Sequence, residues 1–280
     1  MGEAEQLIKQ FDQVKGMPHV VARLSKLIAS ESTTMHDLEE VIRMDPGLVA
    51  RLLQLVNSAY FGLTRRVDSI TRALTMLGMK NLHNLAVTDA LRGMFAGSTE
   101  NTSFSRKRLW MHSAAVGLCS KMIAERIFSR NGDTLYLCGL LHDIGLIVEV
   151  QIRPSELAAA MDEWNPAGNS VVDSEQRHLG TDHCQIGYLL ARNWQLTDEV
   201  AETIRDHHLE SEGIEADSLV GILQLAEHFV SRLDLGIKSG GPTRLTAPLV
   251  AHLRDNVDEY AVLCEDLPGE IERAQALYEG

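Results

Sequence analysis

His142 and Asp143 stand side by side in an otherwise apolar run, Leu140-Leu141-His142-Asp143-Ile144-Gly145. Neighbouring side chains on a helix project about 100° apart, so this imidazole and this carboxylate can converge on one ion. Burying a carboxylate among leucines is costly unless something neutralises it, and a divalent metal would do so. His207-His208 is a second adjacent pair. One of its rings can serve a metal while the other serves a second metal or a substrate phosphate. The histidines of both pairs belong to a group of six, completed by His112, His178 and His183, among 11 histidines. A purely structural ion pair is the alternative for His142-Asp143, with Asp143 accepting from a neighbouring N–H. His178 is read as a solvated residue, and His19, His36, His83, His228 and His252 as hydrogen-bonded core residues.

The elements that must position these groups are helical. Apolar residues recur at helical spacing nearly everywhere, alternating strand patterns are almost absent, and the chain is expected to be all-α. Thr34 with Asp37 three residues on forms a capping box before Leu38, Val41 and Ile42. Asp45-Pro46 is a second start, followed by the stripe Leu48, Leu52, Leu55 and Val56. Asp68 or Ser69 opens a helix that Gly78 stops. Asn57 and Ser58 are expected to cap orphan carbonyls or start a turn closed by Gly62. Further helices are expected over 82–95, 108–129, 134–150, 155–163, 172–193, 197–208, 217–234 and 246–278. The polar stretch 97–103 reads as a joint between 1–98 and 104–280, and 238–242 as a flexible loop.

Composition narrows the function. The chain has 280 residues, 45% of them hydrophobic and 23% charged, with a formal charge of -13. That excess of acid repels nucleic-acid phosphates and anionic membranes, and Arg106-Lys107-Arg108 is the densest basic run. Direct nucleic-acid binding is not expected. Apolar runs such as 135–141 stop short of a membrane span, and residues 1–10 have no export-type apolar core. A cytoplasmic protein is the expectation. Cys119, Cys138, Cys184 and Cys264 include no CxxC pair and read as thiols in a reducing compartment.

Asp45-Pro46-Gly47-Leu48, followed by Leu52-Leu53-Gln54-Leu55-Val56-Asn57-Ser58-Ala59-Tyr60-Phe61-Gly62, resembles the signature of HDOD domains, the HD-related output domains of bacterial signalling proteins. The resemblance runs on through Val67-Asp68-Ser69-Ile70, Trp110-Met111-His112-Ser113, Gly139 to Gly145, Glu175, Gly180, His183, Gly187, Trp194 and His207-His208, covering roughly residues 14 to 210. It implies an N-terminal helical subdomain packed on a bundle similar to the HD phosphohydrolases, helical metalloenzymes. Position by position, His112 matches the first histidine of that family and His142-Asp143 its doublet. His183 and His207-His208 match the extra positions of binuclear relatives, and Glu227 stands where the distal aspartate falls. The resemblance thus implies one or two divalent ions (Fe, Mn, Zn, Ni or Mg) held by His112, His142, Asp143, His183, His207, His208 and Glu227.

Hydrolysis of a phosphoester or phosphoanhydride in a phosphorylated small molecule or nucleotide would follow. Asp143 would bridge the metals, and one of His207 or His208, if not a ligand, would protonate the leaving oxygen. Lys121, Arg153, Arg177 and Arg205 are read as solvated helix-face charges. Two departures matter. Leu146 stands where cyclic-dinucleotide phosphodiesterases of the HD-GYP type carry a lysine, and no Gly-Tyr-Pro follows His208, so a cyclic di-GMP hydrolase is disfavoured. Many HDOD proteins have lost ligands and serve as scaffolds. A non-enzymatic regulatory module acting on a signalling partner is therefore the alternative.

Overall fold

The computed structural model describes residues 2–14, 24, 27, 30, 32–43, 46–57, 67, 69–78, 82, 85, 104–165, 170–194, 196–238 and 244–279. The protein is all-α, and no β-strand occurs among the described residues. In chain order the helices begin with α1 (Glu3–Val14), α2 (Met35–Arg43), α3 (Pro46–Val56), α4 (Ile70–Leu77) and α5 (Arg106–Arg126). There follow α6 (Asp133–Leu141), α7 (Ile144–Ile152), α8 (Pro154–Glu163), α9 (Val171–Leu179) and α10 (His183–Asn193). The last are α11 (Asp198–Asp206), α12 (Leu219–Arg232), α13 (Ala247–Asp255) and α14 (Val257–Glu279). The chain divides into two compact units, Met17–Gly93 with Glu272–Gly280, and Met1–Gly16 with Met94–Ile271.

In the unit of Met17–Gly93, α2, α3 and α4 pack on one another around Leu38, Ile42, Leu48, Leu52 and Leu74, all essentially inaccessible. The expected capping box is present. The Asp37 carboxylate accepts from the Thr34 N–H at 2.8 Å, and the Asp37 N–H donates to Thr34 Oγ1 at 3.3 Å. Ser69 caps α4, and Gly78 ends it in a left-handed conformation, φ 77°. Asn57 does more than cap. Its amide donates to the Leu53 and Val67 carbonyls and accepts from the Val67 N–H, each at 2.7 Å, tying the end of α3 to a segment ten residues on. The expectations for His19, Asp45, Ser58, Gly62, Asp68, His83, most of 82–95 and the 97–103 joint lie outside the described residues. So does most of the loop expected over 238–242, Lys238 excepted. His36 corrects the sequence reading: its side chain is exposed and faces Glu40 one turn on at 3.7 Å.

The larger unit carries the site. At its centre α6 packs on α5, and α12 lies against both. Helix α7 meets α10, which packs on α11, while α1 lies against α7 and α10. Residues Asp133–Ile152 together have the length and hydropathy of a membrane span, longer than the run 135–141 suggests, but 83% of that window is buried inside the protein, where it forms the core pair α6–α7.

Three expected continuous helices are broken. The first breaks at His142-Asp143, where φ of Asp143 is −99° and the Leu146 N–H reaches back only to the Asp143 carbonyl. The second breaks at Gly180, left-handed at φ 72°, after which Asp182 caps α10 through the Gln185 N–H at 2.8 Å. The third breaks at Asn256, between α13 and α14. Each break is a local cap or turn that apolar periodicity passes over, since the core face continues through it.

Candidate metal centre

Four of the singled-out residues sit at helix ends, three of them at ends that the breaks create. His142 closes α6, Asp143 opens α7, His183 is the first residue of α10, and His207 follows α11. His112 projects from α5 and Glu227 from α12. Close backbone approaches bring these elements together. A Cβ on Gly139 would lie 2.6 Å from the Gly117 Cα, so only glycines let α6 touch α5 here. A Cβ on Gly145 would fall 2.6 Å from the Cα of His183, which lets the start of α10 press against α7. His112 and His142 thereby meet with ring centroids 5.2 Å apart, and His142 meets His207 at 5.1 Å.

The tautomers are set by what each outer nitrogen faces. Nδ1 of His112 lies 2.9 Å from the Leu235 carbonyl, that of His142 2.7 Å from the Gly139 carbonyl, and that of His207 2.7 Å from the Ile204 carbonyl. A carbonyl only accepts, so each Nδ1 carries a proton and each Nε2 is the atom turned inward. His183 turns Nδ1 to the buried carboxylate of Glu175 at 2.7 Å, which also accepts the His183 backbone N–H at 3.1 Å. The four Nε2 atoms converge on Asp143. Those of His112 and His142 lie 3.4 and 3.0 Å from Oδ2, and those of His183 and His207 lie 3.4 and 3.7 Å from Oδ1. Glu227 Oε1 stands 3.1 Å from His142 Nε2. Yet both Asp143 oxygens, Glu227 Oε2 and His142 Nε2 are buried without a hydrogen-bond partner. Lone pairs packed against lone pairs are what a cation between them would relieve. The donor set, imidazole with carboxylate, fits a divalent transition ion.

The electrostatics agree. Burial opposes charge on His142, but the Asp143 and Glu227 carboxylates beside it hold the ring up at about 9. Burial would likewise raise Asp143, and the His142 charge overrides it, keeping this carboxyl well below its usual range. Glu227 is held at about 2, its burial outweighed by the His142 ring beside it and the charges of His208 and His207. His112 and His208 go the other way, pushed down chiefly by burial. The pocket therefore keeps its carboxylates ionised and draws positive charge inward.

Among the described residues, three groups of side chains could hold a metal ion: His112 with His142 and Glu227; His142 with Asp143 and His207; and His183 with Cys184, His207 and His208. His178 is not brought in; it is exposed and bonds Glu163 at 2.6 Å. His252 is half-buried, stacked on Phe128 and 3.1 Å from the Tyr260 hydroxyl, and His228 is half-buried with its ring edge-on to Phe229. A cleft of ≈ 700 Å³ opens above His112, His207, His208 and Glu227. Its walls include Trp164, Asp173, Glu210, Lys238 and Arg244.

The cations weighed from sequence do not line it. Lys121 pairs with Asp133, Arg153 approaches Glu3, Arg177 pairs with Glu163, and Arg205 pairs with Asp206. Arg108, from the densest basic run, holds the Gly236 and Asp234 carbonyls at 2.6 and 2.9 Å. It thus fixes the segment whose Leu235 carbonyl holds His112 one helical turn away.

Sequence reasoning missed Cys184, Lys238 and Arg244, together with the supporting roles of Glu175 and Gln224. The Gln224 amide donates to the His207 and Leu209 carbonyls, each at 2.9 Å, pinning the turn after α11. Glu175 carries a sharp expectation. Partners that orient a ligating histidine are worth about 10–100-fold in metal affinity, so Glu175→Ala should weaken binding by that factor with the fold intact. A competition titration against a chelator reads it, and unchanged affinity would remove Glu175 from the site.

The HDOD domain family matches residues 15–210. A protein of Treponema pallidum (strain Nichols), described as uncharacterized, is 30% identical over 214 residues, 73% of this chain. The chain spans 39% of the length of that relative. Among solved structures, a proposed signal transduction protein from Marinobacter aquaeolei VT8 is similar over 94% of this chain and 59% of its own, with 23% identity and a TM-score of 0.73. A proposed phosphohydrolase from Shewanella amazonensis SB2B is similar over 93% of this chain and 97% of its own, with 24% identity and a TM-score of 0.61.

Proposed function

The chain belongs to the HDOD domain family, and on that footing we propose that it is a metal-dependent phosphohydrolase acting on a phosphorylated small molecule or nucleotide. The observation that carries this reading is the set of four Nε2 atoms and two carboxylates turned toward one another beneath an open cleft. His112, His142, Glu227 and Asp143 would hold one ion, and Asp143, His183 and His207 a second. Bound there, a divalent metal acidifies a water and neutralises phosphate charge.

The chain's own residues do the rest. Asp143 offers one oxygen to each pair of rings. With His207 Nε2 turned inward, His208, whose ring lines the cleft and is held neutral by burial, is the group left to take a proton from the attacking water. Lys238 and Arg244 supply positive charge to the wall that faces the substrate.

One observation favours a second reading. Leu146 is fully buried, so the position at which HD-GYP phosphodiesterases carry a lysine points into the core here. On that reading the ions only stiffen an HDOD module that works through a signalling partner. The test is elemental analysis of anaerobically purified protein reconstituted with iron, manganese, zinc, nickel or magnesium, followed by a phosphoester screen. We expect one or two ions per chain and a turnover that His142→Ala abolishes. Metal without turnover of any phosphoester transfers the case to the regulatory reading. A protein that retains no metal overturns the hydrolase.

A further inference from the structure

Cys184 lies beside the centre, and neither the family resemblance nor the hydrolase reading gives it a task. Its Sγ is 3.5 Å from His183 Nε2 and 3.8 Å from His207 Nδ1. The residue is 6% exposed and does not line the cleft. The spacing is informative. Zinc–sulfur and zinc–nitrogen bonds of about 2.3 and 2.0–2.1 Å at a tetrahedral angle put the two donors about 3.6 Å apart, and two nitrogens about 3.3 Å apart. The observed separations are 3.5 Å for Cys184 Sγ to His183 Nε2 and 3.2 Å between the Nε2 atoms of His183 and His207. On the same side, Asp143 Oδ1 is buried without a hydrogen-bond partner, 3.4 Å from His183 Nε2. The Cys184 sulfur and one ring nitrogen each from His183, His207 and His208 all lie within 4.8 Å of one another.

We propose that Cys184 is a metal ligand, making the deep half of the centre a thiolate–imidazole position selective for zinc or ferrous iron over magnesium. The inference rests on the metal reading above and adds a donor of different chemistry to it. Thiolate sulfur is a soft donor, poorly matched to magnesium and well matched to zinc and iron. Charge supports it too. Two divalent ions would bring four positive charges against two facing carboxylates, Asp143 and Glu227, with Glu175 behind the His183 ring, and a thiolate would offset one more. On ligation the S–H bond is replaced by a sulfur–metal bond and the proton leaves to solvent.

Anaerobic titration of metal-free full-length protein with cobalt(II) tests this, because thiolate-bound cobalt shows an intense near-ultraviolet charge-transfer band that imidazole and carboxylate do not give. The wild type should show the band. Cys184→Ser and Cys184→Ala, with Cys119, Cys138 and Cys264 retained, should lose it to background while circular dichroism shows an unchanged fold. In the same variants zinc stoichiometry should fall by one ion. Cobalt uptake without the band, or a band that survives both substitutions, overturns the assignment and leaves the metal reading standing. A wild type that takes up no cobalt overturns both.

Discussion

Asp143→Ala should empty the centre, lowering metal affinity by more than ~100-fold, beyond what an outer-sphere partner is worth. The reason is geometric. Asp143 is the one residue whose two oxygens face all four inward nitrogens, two rings on each. The rings should stay aimed without it, since Leu235, Gly139, Glu175 and Ile204 hold their outer nitrogens independently. The loss therefore reports the carboxylate and not a collapsed pocket. Elemental analysis after dialysis reads it, with circular dichroism as the check on folding. A variant that keeps a full complement of metal would show that the four nitrogens suffice and that Asp143 is only a buried counter-ion.

Gly145→Ala should be the most damaging conservative change to the fold. Its new methyl would lie 2.6 and 2.7 Å from the Cα and C of His183 and closer still to the carbonyl oxygen. All three are backbone atoms, so no rotamer change relieves the clash. Helix α7 must move off the start of α10, which carries His183 away from Asp143. Overpacking of this kind costs about 3 kcal/mol, the upper end of the usual range. Urea unfolding should show a lower midpoint at unchanged m-value, with metal content falling in parallel. Gly213→Ala is the control, because a Cβ there meets only Ser211 Oγ at 3.6 Å. If both variants unfold alike, the approach of α7 to α10 does not position the site.

The doublet His142-Asp143 was legible because a histidine and an aspartate adjacent in an apolar run call for a neutralising partner, and His112, His183 and His207-His208 because they recur at family positions. The all-α class was legible from apolar period alone. What escaped has a physical pattern. The groups that fix the tautomers are mostly backbone carbonyls, those of Leu235, Gly139 and Ile204, which have no residue identity to read. Cys184 looked like any other isolated thiol, since nothing local distinguishes it from Cys119 or Cys138, and only folding sets it against His183. Lys238 and Arg244 reach the cleft by the tertiary path of the chain, while cations nearer the motifs in sequence pair with carboxylates elsewhere. His36 was misjudged for a related reason. Apolar neighbours such as Leu38 mark a buried face, but His36 lies on the opposite side of α2.

The donors come from five separate stretches of chain: α5, the α6–α7 junction, the start of α10, the end of α11, and α12. An unfolded chain cannot keep them together, so an ion held there acts as a removable cross-link among distant segments. A ligand that binds only the folded form adds about 4.1 kcal/mol when its free concentration is a thousand times its dissociation constant. The lifetime of this protein against proteases would then track the metal supply of its surroundings, and scarcity would remove the protein as well as silence it.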